Sequence, residues 1–244
     1  MKMKLSAGIL LLICTLAILS SCRQNRVKGK GNIETVSRNV PAFQGIKIQA
    51  PVNVNIKIVP GATPSISLKG YPNILEEIQT EVEGNTLRIY NDDLVHFSVN
   101  EDIIAEITVP TLNALAISGA ADVDMLGMLN TTTFDLTVSG AGDVKMEGIN
   151  AETFNAELSG AGNLEVRGGT VANAKYAVNG AGEIDAFPLQ TRQASVSVAG
   201  MGDVDVSVSE KLDASVAGAG DINYKGQPQL TTSVAGAGSV QQVQ

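Results

Sequence analysis

The stretch SGAGDVKM, from Ser139 to Met146, decides the fold because it recurs in related form along the second half of the chain. The first glycines of the seven copies are separated by 21, 20, 20, 20, 18 and 18 residues. They are Gly119, Gly140, Gly160, Gly180, Gly200, Gly218 and Gly236. A sequence period of this length is typical of structural units that stack on one another.

Apolar and polar residues alternate on both sides of each glycine pair. Before Gly140, Leu136 and Val138 alternate with polar residues, and Val144 and Met146 resume the alternation after it. A period of two indicates strands with one buried face. Two positions are aliphatic in every copy, two residues before the first glycine and four residues after it. They are Ile117, Val138, Leu158, Val178, Val198, Val216 and Val234, followed by Val123, Val144, Leu164, Ile184, Val204, Ile222 and Val240.

Strands joined by tight corners and repeated at this period predict an all-β protein. We expect a right-handed parallel β-helix, a solenoid with coils of about 20 residues lying about 4.8 Å apart. The alternative is a left-handed β-helix, whose sub-period of about six residues divides 18 but not 20 or 21. Paired glycines such as Gly160 and Gly162 supply backbone angles that other residues avoid and let neighbouring corners approach closely.

The N-terminus resembles a bacterial lipoprotein leader. Lys2 and Lys4 precede an apolar run from Leu5 to Leu19, which is short for a membrane span. The run ends in LSSC, so we interpret residues 1–21 as a signal peptide and Cys22 as a lipidated, palmitate-bearing membrane anchor. An ordinary secretory signal and an N-terminal transmembrane anchor are the alternatives. Residues 22–33 hold four basic residues and no acidic one, which predicts a flexible basic tether that lies against anionic lipid or in solvent.

Composition and charge narrow the function. The chain has 17 basic and 25 acidic residues, and removal of Lys2 and Lys4 with the leader changes the net charge from −8 to −10. This balance argues against nucleic-acid binding. Cys14 lies in the leader and Cys22 carries lipid, so the mature chain has no cysteine for a disulfide or a thiolate site.

Residues 34–244 are predicted to form a single β-helix domain. Residues 118–244 carry the regular SGAGD repeats, whereas residues 34–117 are expected to form earlier, irregular coils with longer returns. In the segment Tyr71–Val82, Ile74, Leu75 and Ile78 stand at helical spacing. This spacing predicts a turn or two of helix on the outside of the coil, or a partly ordered loop.

Polar residues, many of them acidic, follow every glycine pair in two outward-facing columns. The first column is Asp122, Asp143, Asn163, Glu183, Asp203, Asp221 and Ser239; the second is Asp124, Lys145, Glu165, Asp185, Asp205, Asn223 and Gln241. One interpretation is a calcium ladder, because hard cations take oxygen ligands. The other is that these side chains accept hydrogen bonds from backbone amides freed by the corner, and we predict no metal site. The candidate ligand-contact face consists of Asp122, Asp143, Glu183, Asp203 and Asp221.

The chain resembles the putative auto-transporter adhesin head GIN domain family over essentially the whole mature sequence. The resemblance rests on VPAFQGIKIQAPVNVNIKI from Val40, EVEGNTLRIYN from Glu81, and VPTLNALAISGAADVDM from Val109, which leads into the repeats. The family implies a right-handed β-helix similar in shape to pectin-lyase-like proteins, in bacterial envelope proteins, and a role in adhesion or carbohydrate contact. It brings no catalytic residues to carry over.

Two functional hypotheses follow. The first is a non-catalytic envelope lipoprotein, anchored in the outer membrane on its periplasmic or extracellular face, that contacts a glycan, a protein or another copy of itself. The second is a polysaccharide lyase or hydrolase of the β-helix type, which needs two carboxylates at a set separation. The regular coils leave no room for a cleft, and His96, the only histidine, is interpreted as structural. We therefore predict no catalytic residues and no cofactor.

Overall fold

The structure, a computed structural model, describes residues 25–92 and 95–244. The predicted signal peptide and Cys22 lie outside these residues. The protein is almost all β, with 69% strand and 2% helix, and forms a β-solenoid of about six turns with coils about 20 residues apart. The predicted parallel β-solenoid is therefore confirmed. No helix in the described ranges is long and apolar enough to cross a membrane.

The repeat half consists of strands β10 to β19, which follow the sides of successive coils. They are β10 (Ala114–Gly119), β11 (Val123–Gly140), β12 (Val144–Gly160), β13 (Leu164–Val166), β14 (Gly169–Gly180), β15 (Ile184–Gly200), β16 (Val204–Gly218), β17 (Asp221–Lys225), β18 (Gln229–Gly236) and β19 (Ser239–Gln242). Each coil pairs in parallel with the next, and the corner glycines stay in register, as Gly140 with Gly160 and Gly160 with Gly180.

The aliphatic positions of the repeat line a continuous core. All are buried except Val234 and Val240 in the last coil, which no further coil of the described residues covers. Three aromatic rings enlarge this core, because Phe134 stacks on Phe154 and Phe154 meets Tyr176 edge-on, both with ring centroids 5.8 Å apart. Each fully buried apolar side chain contributes about 1.5–3 kcal/mol, so the buried ladders are the main source of stability.

The glycine corners stack so tightly that side chains are excluded from them. Gly160 has a φ of +134°, and its neighbour Ala161 donates its N–H to the Gly140 carbonyl over 2.9 Å. A Cβ added at Gly160 would overlap that same carbonyl oxygen. In the first corner alanine, Ala121, replaces the second glycine, and no atom lies within 4 Å of a Cβ added at Gly119. The repeat therefore departs from paired glycines at the one corner that has open space beside it.

Differences in coil length are absorbed away from the corners. The 21-residue step contains an irregularity between Met125 and Met128, where Gly127 has a φ of +96° and donates its N–H to Glu147 Oε2 over 2.6 Å. In the first 18-residue step, the coil has fewer residues in its return than the preceding coil has after Ala186. The corners consequently remain aligned along the whole stack.

The strands that precede β10 form the N-terminal end of the solenoid, which we call the lower end. Its elements are β1 (Asn25–Lys28), β2 (Glu34–Arg38), β3 (Gly45–Ile48), β4 (Asn53–Ile58), β5 (Ser65–Gly70), α1 (Pro72–Leu75), β6 (Gln79–Glu83), β7 (Thr86–Tyr90), β8 (Val95–Ser98) and β9 (Ile104–Val109). β3 and β4 pair in parallel with β10 and β11 on one side and with β7 and β9 on the other. These strands continue the coils as predicted.

Three pairings in the first half are antiparallel, so the expectation of irregular coils throughout is wrong there. They join β2 with β5, β5 with β9, and β6 with β7. β6 and β7 are separated by only Gly84 and Asn85, and Gly84 has a φ of +62°. A two-residue loop can join antiparallel strands but is too short for a parallel crossover, which explains the hairpin.

The predicted helix in the segment Tyr71–Val82 is a single turn, α1, and it is not on the outside. Ile74, Leu75 and Ile78 are buried in the core. From Gln79 onward the segment is strand β6. Pro72 stands at the first helical position, where its missing N–H costs no hydrogen bond.

The described part of the predicted tether is a strand. β1 pairs in parallel with β8, outside the main sheet. Val27 and Phe97 of this pair pack against the core, and the Gly29 N–H donates to the Ser98 carbonyl over 3.0 Å. The expectation of a flexible segment is therefore wrong from Asn25 onward.

Candidate functional site

The outward side chains that follow the corners form one face of the solenoid, which we call the acidic face. It consists of the first and second columns defined above. Successive strand residues point to opposite sides, so burial of Val144 or Ile184 turns the residues on either side outward. The two columns hold nine carboxylates and a single cation, Lys145.

The first column is a ladder of side-chain to backbone hydrogen bonds that climbs the coils. Asp122 Oδ1 accepts the N–H of Asp143 over 3.1 Å, and Asp143 Oδ1 accepts the N–H of Asn163 over 3.0 Å. Asn163 in turn accepts from Glu183 over 3.1 Å, and the same contact recurs from Asp203 to Asp221 and from Asp221 to Ser239, at 2.7 Å each. The hydrogen-bond interpretation of this column is confirmed. The amide in each case belongs to the equivalent residue of the next coil.

Glu183 interrupts the ladder. Within the described residues, the Asp203 N–H makes no bond to Glu183, the only ladder residue with the longer glutamate side chain. Its carboxylate lies beside other acids, and its pKa is raised above the ordinary value by burial and by the charges of Asp205, Asp203 and Asp185. This two-coil cluster is the most strongly charged part of the acidic face.

The second column is partly neutralised by neighbours. Glu165 forms an ion pair with Arg167 at 2.8 Å, and the hydrogen bond from that guanidinium lowers the pKa of Glu165. Asp205 accepts a hydrogen bond from Asn223 over 2.9 Å. Burial nevertheless raises the pKa of Asp205, with a further contribution from Asp185. The face thus combines partly neutralised carboxylates with a cluster whose ionisation is disfavoured.

The surface around these side chains is open. A shallow depression of about 280 Å³ lies over Asp143, Lys145, Glu165 and Asp185, in the middle of the face. In the part of the chain that the structure describes, no three acidic, histidine or cysteine side chains converge as metal ligands would. His96, interpreted above as structural, is an exposed residue of β8 and does not reach the core.

The five predicted contact residues lie on one face, but four of them also have a structural role. Asp122, Asp143, Asp203 and Asp221 each commit one carboxylate oxygen to the ladder. The acids of the second column, such as Asp185, were not among the predicted contacts. The same alternation that identified the first column also turns the second one outward, so this signal was present in the sequence.

The fold and the acidic face define a parallel β-solenoid protein with an open, repetitive polar surface. The chain belongs to the family described as "putative auto-transporter adhesin, head GIN domain", whose model matches residues 42–228. The resemblance found in the sequence is thereby confirmed. No curated protein matches the chain.

Solved structures share the fold over nearly the whole chain. A crystal structure of a putative adhesin from Bacteroides fragilis is 27% identical, with a TM-score of 0.84, and the match covers 89% of this chain and 100% of the other. A putative lipid binding protein from Parabacteroides distasonis is 25% identical, with a TM-score of 0.76 and coverage of 90% and 100%. A putative adhesin from the same species, 21% identical with a TM-score of 0.74, covers the same shares and shows likeness of fold alone.

Proposed function

We propose that this protein is a non-catalytic lipoprotein of the bacterial envelope, anchored to the outer membrane through Cys22, that uses its acidic face to contact a positively charged partner. The observation that carries the proposal is the charge of that face, nine carboxylates against Lys145. Its family and the 27% identical structural relative carry the description adhesin, which fits a contact role. The residue after Cys22 is Arg23, not the acidic residue that favours retention in the inner membrane.

The sign of the charge selects the class of partner. A negatively charged face repels anionic polymers such as uronate glycans and attracts basic protein surfaces or amine-bearing glycans. Its contacts repeat about every 4.8 Å, the spacing of neighbouring strands, so a partner with evenly spaced cations gains affinity from many weak contacts. Copies anchored side by side on one membrane multiply this effect.

An enzymatic role has less support. Glycosidic cleavage needs two carboxylates at a set separation in a site that limits water access. Glu183 and Asp203 are exposed side chains on regular coils, and no long insertion of the described residues encloses them. Contact with another copy of the chain stays a prediction; Leu230 and Val234 of β18 are exposed.

The test uses surface binding to three probes: an immobilised lysine oligomer, a glucosamine oligomer and polygalacturonate. We expect the protein to bind the two cationic probes, with an affinity that falls as salt rises, and not to bind polygalacturonate. Asp185→Asn with Asp205→Asn should weaken this binding several-fold. The matched control, Asp135→Asn with Glu157→Gln, removes the same charge from the strands that precede the corners, where neither acid forms an ion pair with a described residue.

Two results would count against the proposal. Equal weakening by the test pair and the control pair would mean that net charge, and not the acidic face, governs binding. Release of reducing ends or unsaturated products from any glycan, lost in an Asp203→Asn variant, would support the enzyme instead.

A further inference from the structure

We propose that the small sheet formed by β1 and β8 is a membrane-contact surface that binds anionic lipid headgroups and holds this end of the solenoid against the bilayer. The inference deepens the proposed function, on which it rests for the lipid anchor at Cys22. The charge pattern that carries it is independent of that anchor.

The exposed side of this sheet is basic. Arg26 and Lys28 alternate along β1 with Val27, which packs against the core, and Lys30 continues the alternation beyond the strand. All three cationic residues are exposed. Arg26 lies opposite His96 in the parallel pair, so β8 adds a histidine to the same side. The sheet therefore presents three cations and an imidazole in one direction.

Among the described residues, these cations have no anionic partner. None of the three forms an ion pair with another residue in the ranges 25–92 and 95–244. Residues 23–30 hold four basic residues and no acid, whereas residues 118–244 hold six basic and fifteen acidic residues. A cationic patch at one end of an otherwise acidic molecule favours an anionic surface at that end and repels it elsewhere.

Contacts with the body hold the cations in place. The N–H of Lys30 donates to Asn73 Oδ1 over 2.8 Å, and Asn73 Nδ2 donates to the Lys28 carbonyl over 3.0 Å. Gly29 lies so close to the Tyr71 ring that an added Cβ would overlap it. The basic side chains thus project from a fixed sheet, and their contact with lipid would orient the whole solenoid.

The covalent chain brings this sheet near the bilayer. Consecutive Cα atoms are about 3.8 Å apart, so the Cα atoms of Cys22 and Asn25 are separated by at most about 11 Å. This is close to the Debye length of about 8 Å at physiological salt. A lipid attached at Cys22 therefore keeps the start of β1, with Arg26, close to headgroup charge that is only partly screened. Each cation near an anionic leaflet raises the affinity about fivefold, so three give on the order of 100-fold.

The test compares vesicles of phosphatidylcholine alone with vesicles that contain one-third phosphatidylglycerol. The full chain is used as Cys22→Ser, because acyl chains would hold the protein to both kinds of vesicle. The ratio of the two affinities, measured by co-sedimentation, cancels any contribution that is the same for both lipids. We expect a ratio on the order of 100 or more, falling by about 100-fold in Arg26→Gln with Lys28→Gln and Lys30→Gln.

A matched control removes three cations from elsewhere: Lys145→Gln, Arg167→Gln and Lys225→Gln. These residues lie on or beside the acidic face, and the control should leave the ratio unchanged or lower it only slightly. Thermal unfolding of all variants verifies that they fold.

A wild-type ratio near 1, or an equal fall in both triple variants, would overturn the inference. The anchor is tested apart from it, by lipid labelling of the chain with Cys22 intact. Absence of label would refute the anchor, while a high ratio would still support the membrane-contact surface.

Discussion

Replacement of Gly160 by alanine is expected to destabilise the solenoid far more than the same change at Gly119. Both glycines have positive φ angles, +134° and +114°. A Cβ at Gly160 would overlap the carbonyl oxygen of Gly140 in the preceding coil, whereas a Cβ at Gly119 would meet no atom within 4 Å. The two variants therefore separate the cost of the backbone angle from the cost of stacking.

The magnitudes follow from these two terms. A residue with a side chain held at such an angle costs about 1–3 kcal/mol, and this cost applies to both variants. Overpacking adds about 1–3 kcal/mol at Gly160 only, and the obstacle there is backbone, which cannot rotate away. We expect losses of about 2 kcal/mol for Gly119→Ala and about 4 kcal/mol for Gly160→Ala.

The measurement is equilibrium unfolding in urea, followed by circular dichroism and by tyrosine fluorescence. Two probes are needed because solenoids can unfold repeat by repeat, and the free energies are comparable only if both probes give one transition. Equal losses in the two variants would refute the reasoning, since they would mean that the corners do not stack in contact.

Further predictions concern single side chains. Glu183→Asn should raise the free energy of unfolding at pH 7 more than Glu183→Gln. Both variants remove a repelled charge, but only asparagine is short enough to accept the Asp203 N–H, and equal gains in urea unfolding would contradict this. The pKa values of Glu183 and Asp205 are raised in the fold, so their ionisation destabilises the protein at neutral pH. The gain in unfolding free energy of Glu183→Gln with Asp205→Asn over the wild type should therefore shrink as pH falls through those pKa values, and a gain that stays constant with pH would argue against it. The buried Tyr176 hydroxyl makes no well-formed hydrogen bond among the described residues and has only the Thr191 side chain near enough to interact, so Tyr176→Phe should raise the unfolding free energy by at most about 1 kcal/mol, and a loss would show that the Thr191 contact is a stabilising hydrogen bond. Cys22→Ser should abolish incorporation of labelled lipid, and retained label would place the anchor elsewhere.

The repeat half was predictable because its strands pair mainly with the equivalent residues one period away. Val138, Leu158 and Val178 occupy equivalent positions and are all buried, so the sequence period alone defined the register. The ladder was predictable for the same reason. Its interruption was not, because the loss of one bond at Glu183 depends on a single methylene group.

The antiparallel pairs and the β1–β8 sheet of the lower end could not be predicted because their contacts lack a period. Asn25 pairs with Val95, and Glu34 pairs with Gly70, and no repeated pattern connects these residues. The length and position of helix α1 were mispredicted for a related reason. Ile74, Leu75 and Ile78 fit helical spacing, but the spacing does not show that the strand partner of β6 lies just beyond Gly84.

The constant register of the corners makes the solenoid a spacer whose length is counted in coils. Six steps separate the first corner from the seventh, which at about 4.8 Å each amounts to roughly 29 Å. Removal of residues 181–200 would join Gly180 to Met201 and shorten the spacer by one step while leaving every other corner paired. Gain or loss of whole coils would therefore change the length of the spacer in fixed steps without altering the surface of the remaining coils.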